Sequence, residues 1–389
     1  MSPAAMGLSR AAPGGSPIPL RALRRVLARG DAEAELCAGL AQRVGARSVT
    51  LHASGREAMR VALSCLAERS GRREVVVPAY VCFSVPASAV AAGLSVRLVD
   101  VDESGRIDAR HLAQLPLANV AALVVANLFG VAEPLRDILP ISRAAGVALI
   151  DDAAQALGAR SPEGPAGGRG DLGVLSFGRG KPLSALGGGA IAWPGDPPRA
   201  VRHAPVTARP LPAALRALAY DAARWPALLG VLARIPALGI GETVYDADFA
   251  RGPVPGAALC LAHALLPELE AGNRARAEVA LELAAALRRD TGFSPILAEP
   301  GATAAYPRLA VVAPSAEARE DALGALRALG ASRFYPSTLA QVAALRPHRA
   351  GDGECPGAER LASRLFTLPT HAALRAQIAA IAHRLARVG

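Results

Sequence analysis

Between about residues 45 and 195, short runs of β-branched residues alternate with stretches whose apolar positions recur three and four apart. Strands that alternate with helices form a mostly parallel sheet covered by helices, because each parallel connection must cross over the sheet. The pattern therefore predicts an α/β domain. The predicted strands are Val75–Val77, Val96–Val99, Leu123–Ala126, Ala148–Asp151, Val174–Phe177 and Ala190–Trp193. The predicted helices between them are Glu57–Glu68, Ser84–Ala92 and Pro134–Ala145.

The rest of the chain predicts a second, smaller domain, since 389 residues exceed what one hydrophobic core usually serves. A strand at Leu309–Val312 and helices at Gly256–Arg289, Ala316–Leu329 and Ala373–Arg387 favour an α+β fold there. We expect three segments: a flexible lead-in at 1–16, a large domain at 17–250 and a small C-terminal domain at 251–389. The lead-in has no apolar core of a secretory signal, which favours a cytoplasmic protein.

The stretch Leu211–Ile240 is strongly apolar, but Arg216, Asp221 and Arg224 interrupt it too closely for a membrane span. It predicts an amphipathic helix inside an insertion at about 211–248. Packing of the apolar face within the subunit or against a second subunit is the favoured interpretation. Contact with a membrane surface stays open as the alternative.

Charge and cysteine content exclude several classes of protein. The net charge of +10 comes from arginines scattered along the chain, whereas a nucleic-acid-binding protein concentrates them on one face. The five cysteines are odd in number and form no CxxC pair, which argues against a disulfide framework and against a metal site. We expect no nucleic-acid partner, no metal, and reduced thiols.

One lysine, Lys181, accompanies 42 arginines among the 43 basic residues. A primary amine retained at one position indicates chemistry that a guanidinium cannot perform, because the pKa of arginine is too high for nucleophilic attack. Schiff-base formation is the leading interpretation, and survival of one lysine by compositional accident is the alternative. Lys181 follows the strand Val174–Phe177 in a glycine-rich loop, which predicts strand, tight loop, strand and an amine delivered to the end of a sheet.

Other residues match the needs of pyridoxal 5′-phosphate (PLP), a cofactor that lysines bind as a Schiff base. The strand before Asp151 and Asp152 ends in acidic groups, one of which could pair with the pyridine nitrogen; a helix cap is the alternative for Asp151. The segment His52–Arg56 precedes a helix whose first N–H groups could bind the phosphate, and Ser176 could add a hydroxyl.

The chain resembles the DegT/DnrJ/StrS-type sugar aminotransferases, which are PLP enzymes of fold type I. The resemblance runs in family order through ASGREAMRVAL, VVVPAYVCFSVPASAVAAGLSVRLVDVD, ANLFGVAEPLRDILPISRAAGVALIDDAAQALGA, GDLGVLSFGRGKPLSALGGGA and ECPGAERLASRLFTLPTH. It implies a large domain with a mostly parallel, seven-stranded sheet. It also implies a homodimer with active sites at the subunit interface, a nucleotide-linked keto-sugar as substrate and glutamate as amino donor.

The resemblance further implies roles for individual residues. Lys181 would hold PLP covalently, Asp152 would pair with the pyridine nitrogen, and Gln155 would lie near the ring oxygen. The residues implied for the phosphate are Gly55, Arg56 and Ser176.

Two positions depart from the family pattern. Cys82 stands where an aromatic residue usually stacks on the cofactor, with Tyr80 and Phe83 nearby but out of register. Phe249 stands where an Asn of the neighbouring subunit usually reaches the phosphate, and Arg251 is the candidate to take over that contact. These departures keep a catalytically altered PLP-fold protein, acting as a pseudoenzyme or scaffold, open as an alternative to an aminotransferase, and a peripheral membrane-associated protein is another.

Overall fold

The computed structural model describes residues 11–12, 14–15, 18–26, 31–225, 228–229, 245–290 and 292–388. Most of the predicted lead-in, and residues 226–227 and 230–244 of the predicted insertion, lie outside the described residues. Among the described residues, no helix combines the length and the apolar character that crossing a bilayer requires.

The larger sheet has seven strands in the spatial order β1-β9-β8-β5-β4-β2-β3. Strands β3, β2, β4, β5 and β8 are parallel, whereas β9 runs antiparallel to both of its neighbours, so β1 points the same way as β8. The predicted α/β class and mostly parallel sheet are therefore confirmed. Its strands are β1 Ser48–His52, β2 Glu74–Pro78, β3 Ser95–Val99, β4 Val120–Ala126, β5 Ala148–Asp152, β8 Leu172–Ser176 and β9 Gly189–Trp193, and a small hairpin contains β6 Arg160–Ser161 and β7 Gly164–Pro165.

All six strands predicted for the large domain overlap observed strands of this sheet, and of its seven strands only β1 was missed. Its five residues SVTLH mix polar and apolar side chains, and it lies at the edge of the sheet where only one neighbour pairs with it. Val49 and Thr50 are β-branched, but between polar neighbours they give a weaker signal than the continuous apolar runs that identified the central strands.

Helices cover both faces of this sheet and continue into the C-terminal part. They are α1 Leu20–Val26, α2 Ala32–Val44, α3 Gly55–Ser70, α4 Ser84–Ala91, α5 Ala109–Gln114, α6 Ile138–Ala144, α7 Pro210–Ala223, α8 Gly256–Leu265, α9 Leu269–Asp290, α10 Ala316–Leu326, α11 Pro356–Arg364 and α12 Ile378–Leu385. The predicted helix at Pro134–Ala145 is shorter in the structure, because the helix begins only at Ile138.

The prediction of one long helix over Gly256–Arg289 is wrong. The structure has α8 and α9, separated by a 3₁₀ turn at Leu266–Glu268. Pro267 lies in this turn; it has no N–H to donate to the helical ladder, and its ring obstructs the preceding turn. Helix α8 packs against α1, α2 and α7, whereas α9 packs against α12. The domain boundary at 250/251 stays a prediction.

A second sheet of three antiparallel strands lies in the C-terminal part, in the order β10-β11-β12. These strands are β10 Ser294–Pro295, β11 Arg308–Val312 and β12 Leu365–Pro369. Apolar residues of β11, β12, α9, α10 and α12 form one buried cluster with residues such as Leu283, Leu326 and Ile381. Strands and helices thus share a core here, as the α+β prediction requires.

Candidate active site

A cavity of about 520 Å³ opens at the edge of the sheet where β5 and β8 end and α3 begins. Ligands of open α/β sheets bind at the carboxyl ends of strands, and the volume is in the range of small-molecule sites. Six of the predicted residues line it: Gly55, Arg56, Cys82, Asp152, Ser176 and Lys181.

Asp152, the last residue of β5, contributes a buried carboxylate to this cavity and is 8% exposed. Its Oδ1 accepts a hydrogen bond from the Ala154 N–H at 2.9 Å. Burial raises the pKa of Asp152 to about 6, and the Ala154 N–H and the charge of Lys181 oppose that rise. Lys181 is therefore close enough to act electrostatically on Asp152, and the acid stays mostly ionised at neutral pH.

Asp151 lies on the other face of the sheet, since side chains of a strand alternate. Its carboxylate accepts from the Arg169 guanidinium at 2.8 Å and from Asn127 Nδ2 at 2.7 Å, and it also accepts from the Gly167 N–H at 2.7 Å. The alternative interpretation of Asp151 as a helix cap is wrong, because β5 leads into turns and not into a helix. Asp151 is a structural acid with a buried cation as its partner.

Lys181 lies half-buried in the loop between β8 and β9, as the predicted strand-loop-strand pattern requires. Backbone bonds shape the loop: Ala185 N–H donates to Phe177 O at 2.8 Å, and Phe177 N–H donates to Gly188 O at 3.0 Å. Gly188 has φ +83°, a left-handed conformation that favours glycine. The glycines therefore form a tight loop that brings the lysine to the cavity.

The start of α3 meets Ser176 at the opposite end of the cavity. Ser54 caps this 16-residue helix, its Oγ accepting from the Glu57 N–H at 3.1 Å. A Cβ on Gly55 would lie 2.7 Å from the Ser176 Cβ, so only glycine fits there without a shift. The first N–H groups of the helix and the Ser176 hydroxyl are thereby brought together, an arrangement that suits a phosphate.

Two predicted residues are not among those that line the cavity. Gln155 is buried beneath it: its Oε1 accepts from the Phe129 N–H at 3.1 Å, and its Nε2 donates to the Tyr335 hydroxyl at 2.8 Å. Arg251 is exposed, and its neighbour Phe249 places its ring 5.4 Å from the Arg56 guanidinium carbon. Cofactor contacts for Gln155 and Arg251 stay predictions.

Cys82 lines the cavity, and its Sγ accepts a hydrogen bond from Ser84 Oγ at 3.0 Å. The aromatic neighbours pack elsewhere: the rings of Tyr80 and Phe83 lie 5.5 and 6.5 Å from that of Tyr335. No aromatic side chain is among the described residues that line the cavity. The wall at this position is therefore a thiol and not a flat ring.

Sequence reasoning missed two charged residues of the cavity wall, Arg179 and Asp246. Arg179 is two positions before Lys181 in the same loop, so its proximity was a usable signal. Asp246 lies near the end of the predicted insertion and 4.0 Å from Arg56, a long-range approach that no local pattern could indicate.

Comparisons with known proteins point in one direction. Residues 21–199 match the DegT/DnrJ/EryC1/StrS aminotransferase family. A 169-residue segment is 30% identical to a UDP-N-acetyl-3-dehydro-α-D-glucosamine 3-aminotransferase of Acidithiobacillus ferrooxidans, covering 43% of each chain. A 170-residue segment is 27% identical to a UDP-4-amino-4,6-dideoxy-N-acetyl-β-L-altrosamine transaminase of Campylobacter jejuni, covering 43% of this chain and 44% of that one. The matches span less than half the length of these curated relatives.

Solved structures resemble the whole fold. The aminotransferase TlmJ of Streptoalloteichus hindustanus aligns with a TM-score of 0.73 at 22% identity, over 98% of both chains. PseC of Helicobacter pylori, an aminotransferase of pseudaminic acid biosynthesis, aligns with a TM-score of 0.75 at 16% identity, over 97% of this chain and 99% of that one. At these identities the likeness establishes the fold, and the predicted fold class is confirmed along nearly the full chain.

Proposed function

We propose, from the premise that residues 21–199 belong to the DegT/DnrJ/EryC1/StrS aminotransferase family, that the chain is a PLP-dependent aminotransferase. It transfers an amino group from an amino acid, glutamate by the family resemblance, to a nucleotide-linked keto-sugar. The observation that carries the proposal is that Lys181, Asp152 and Ser176 line one cavity at the carboxyl edge of the sheet.

The residues of the cavity fit PLP. Lys181 would hold the cofactor covalently through Nζ, and Asp152, a buried acid, would meet its pyridine nitrogen. The start of α3 at Gly55, the Ser176 hydroxyl and Arg56 would bind the phosphate. When bound, the cofactor withdraws electrons from the α-carbon of the amino substrate.

Three side chains of the cavity have proposed roles in the reaction. Once the amino group of the donor has taken the place of Lys181 on the cofactor, the freed Nζ would move a proton from the α-carbon of the donor to the cofactor carbon that Lys181 had held, as general base and then acid. Asp152, mostly ionised above its pKa of about 6, would favour the protonated form of the cofactor's ring nitrogen. Cys82 would contact one side of the ring in place of an aromatic residue.

Charge supports an anionic substrate. Arg56 and Arg179 line the cavity beside Lys181, so three cations face Asp152 and Asp246. Such an excess of positive charge suits the carboxylates of an amino donor and the phosphates of a nucleotide-linked sugar. The relatives from A. ferrooxidans and C. jejuni are named for UDP-linked sugars, which supports the same class. We propose a homodimer, as the family resemblance implies; because the Phe249 ring lies beside Arg56 of its own chain, the partner contact implied for Arg251 stays a prediction.

The test uses the unique lysine. Borohydride reduction of the PLP-loaded protein should fix one cofactor on the peptide that contains Lys181, detected by mass spectrometry, because the chain has no other ε-amine. Lys181→Ala should abolish the adduct and the accompanying absorbance change. Lys181→Arg is the matched control, since it keeps the charge but offers no nucleophilic amine. A reduction-stable cofactor at full stoichiometry on either variant refutes the role of Lys181.

A second measurement separates an active enzyme from a scaffold. The amine form of the cofactor is loaded on the protein, and nucleotide keto-sugars are screened for return of the PLP absorbance. Return with at least one of them supports transamination. Tight PLP binding at Lys181 with no return, and no formation of 2-oxoglutarate from glutamate, favours the catalytically altered alternative that Cys82 and Phe249 suggest.

A further inference from the structure

Helix α7 turns its apolar face away from the protein. Leu211, Leu215 and Leu218 are 66%, 59% and 55% exposed, although they fall within an arc of about 60° on one side of the helix. Trp225, just beyond the helix end, is 74% exposed. Scattered single exposed leucines are ordinary on protein surfaces, but a contiguous stripe with a tryptophan marks an interaction site.

Helix α7 already packs against the protein through another face, so the exposed stripe of Leu211, Leu215 and Leu218 is not needed for that packing. Ala213 and Ala217, roughly opposite the leucines, are fully buried against the body of the protein. Small residues thus make the internal contact, and the large ones point outward. Packing inside the subunit, one of the interpretations favoured from the sequence, is not what the described residues provide for these leucines.

The charge around the stripe identifies its partner. Between Arg199 and Trp225 the chain contains five arginines and one acid, Asp221. That acid is turned inward, where its carboxylate accepts from the Ile18 N–H at 3.1 Å. Arg209, just before α7, and Arg216, on the flank between the leucines and the buried alanines, are exposed, and the whole chain has a net charge of +10.

We propose that α7 docks this protein, parallel to the plane of the bilayer, on anionic phospholipid surfaces. An apolar helix face flanked by arginine and ending in tryptophan is the composition of interfacial helices, whose leucines enter the acyl boundary while the cations stay among headgroups. A second copy of the chain would bring two cationic surfaces together, whereas an anionic membrane neutralises them. The inference does not depend on the proposed transamination.

The test is flotation of the full-length protein with vesicles of phosphatidylcholine, with and without phosphatidylglycerol. Binding is expected only with the anionic lipid and should weaken as salt rises. Trp225 should become blue-shifted and inaccessible to iodide on the vesicles, while Trp193, 6% exposed, serves as the unchanging internal reference. Shielding of Trp225 from iodide before vesicles are added would show that another part of the chain covers the stripe, and would overturn the proposal.

Matched variants give the decisive comparison. Leu215→Asp with Leu218→Asp should reduce binding to the level of neutral vesicles, and Arg209→Ala or Arg216→Ala should each weaken it about fivefold. Leu281→Asp is the control, because Leu281 is 52% exposed on α9, away from the stripe. Unchanged circular dichroism and PLP binding verify folding. Retained binding by the double variant, equal loss by the control, or a change of oligomeric mass in place of lipid binding would each overturn the proposal.

Discussion

Two adjacent aspartates at the end of β5 lie on opposite faces of the sheet and have different surroundings. Asp151 is fully buried against Arg169, whose side chain is 1% exposed, and receives further bonds from Asn127 and Gly167. Asp152, one residue later, faces the cavity, where the Ala154 N–H is its hydrogen-bond donor and Lys181 is near. Asp151 therefore belongs to a hydrogen-bonded structural network, whereas Asp152 is available to a ligand in the cavity.

The difference has an energetic consequence. A buried acid with a hydrogen-bonded cation contributes to the fold, because its desolvation is offset by close attraction. A buried acid without such a partner costs stability, and the raised pKa of Asp152, about 6, records that cost. Retention of a destabilising acid at the mouth of a cavity is what a functional role for Asp152 predicts.

The largest expected effect comes from Asp152→Asn, which keeps the shape of the side chain and removes its charge. In the PLP-loaded enzyme the protonated ring nitrogen would become the cationic partner of Asp152, and loss of one partner of a buried ion pair, about 3–5 kcal/mol, corresponds to a fall in kcat of roughly 10²–10⁴-fold. Transamination rates of the PLP-loaded variant measure the effect. A variant within a few-fold of the unmodified enzyme would place Asp152 with Asp151 as a purely structural acid.

The same substitution should have the opposite effect on the stability of the cofactor-free protein. Because the folded state raises the pKa of Asp152 from 3.8 to about 6, its contribution is complete below the unfolded value and is lost as pH rises through about 6. Asp152→Asn has no proton to lose, so above pH 6 it should be more stable than the unmodified protein by about 1–3 kcal/mol. Urea unfolding on either side of that pH measures the difference, and a variant that is less stable above it contradicts the argument.

A stability effect of similar size is expected on the face of the sheet that carries Asp151. Arg169→Met should destabilise the protein by about 3 kcal/mol, the lower end for a buried charge left without its cation, because Asn127 and Gly167 still donate to Asp151. Chemical denaturation of the cofactor-free protein gives the value. Arg110→Met, at an exposed arginine, is the control and should change stability by less than about 0.5 kcal/mol. A similar small change for Arg169→Met would show that the network around Asp151 is dispensable.

Much of this arrangement was predictable from the sequence, because local patterns carried it. Strand alternation located β5 and β8, the single lysine drew attention to an amine that lines the cavity, and the glycine-rich loop predicted that Lys181 would reach the end of the sheet. The predicted family resemblance is confirmed by the match over residues 21–199. For the strands, the lysine and the loop, the signal lies within a few residues of the feature it indicates.

What the sequence did not reveal depends on contacts between distant segments. Arg169 meets Asp151 from 18 positions away, and Asp246, near the end of the insertion, approaches Arg56 from 190 positions away. Pro267 is a residue that interrupts helices, but the apolar periodicity continues on both sides of it, and the sequence therefore predicted one long helix instead of α8 and α9. The outward face of α7 was also hidden, since periodicity identifies an apolar stripe without saying whether the body of the protein or the solvent lies against it.

The smallest expected effect concerns Gln155, which lies just beyond both aspartates and could belong with either. Its amide is held by the Phe129 N–H and the Tyr335 hydroxyl, at 3.1 and 2.8 Å. If that is its main role, Tyr335→Phe, which also removes a contact between the hydroxyl and Cys82, should cost about 1–2 kcal/mol of stability and leave PLP affinity within about twofold. Tyr220→Phe is the control, because its hydroxyl accepts only a 3.3 Å bond from Arg224 on a half-buried surface. A loss of PLP affinity in Tyr335→Phe without loss of stability would instead place Gln155 on the cavity side with Asp152, where the family resemblance expects it.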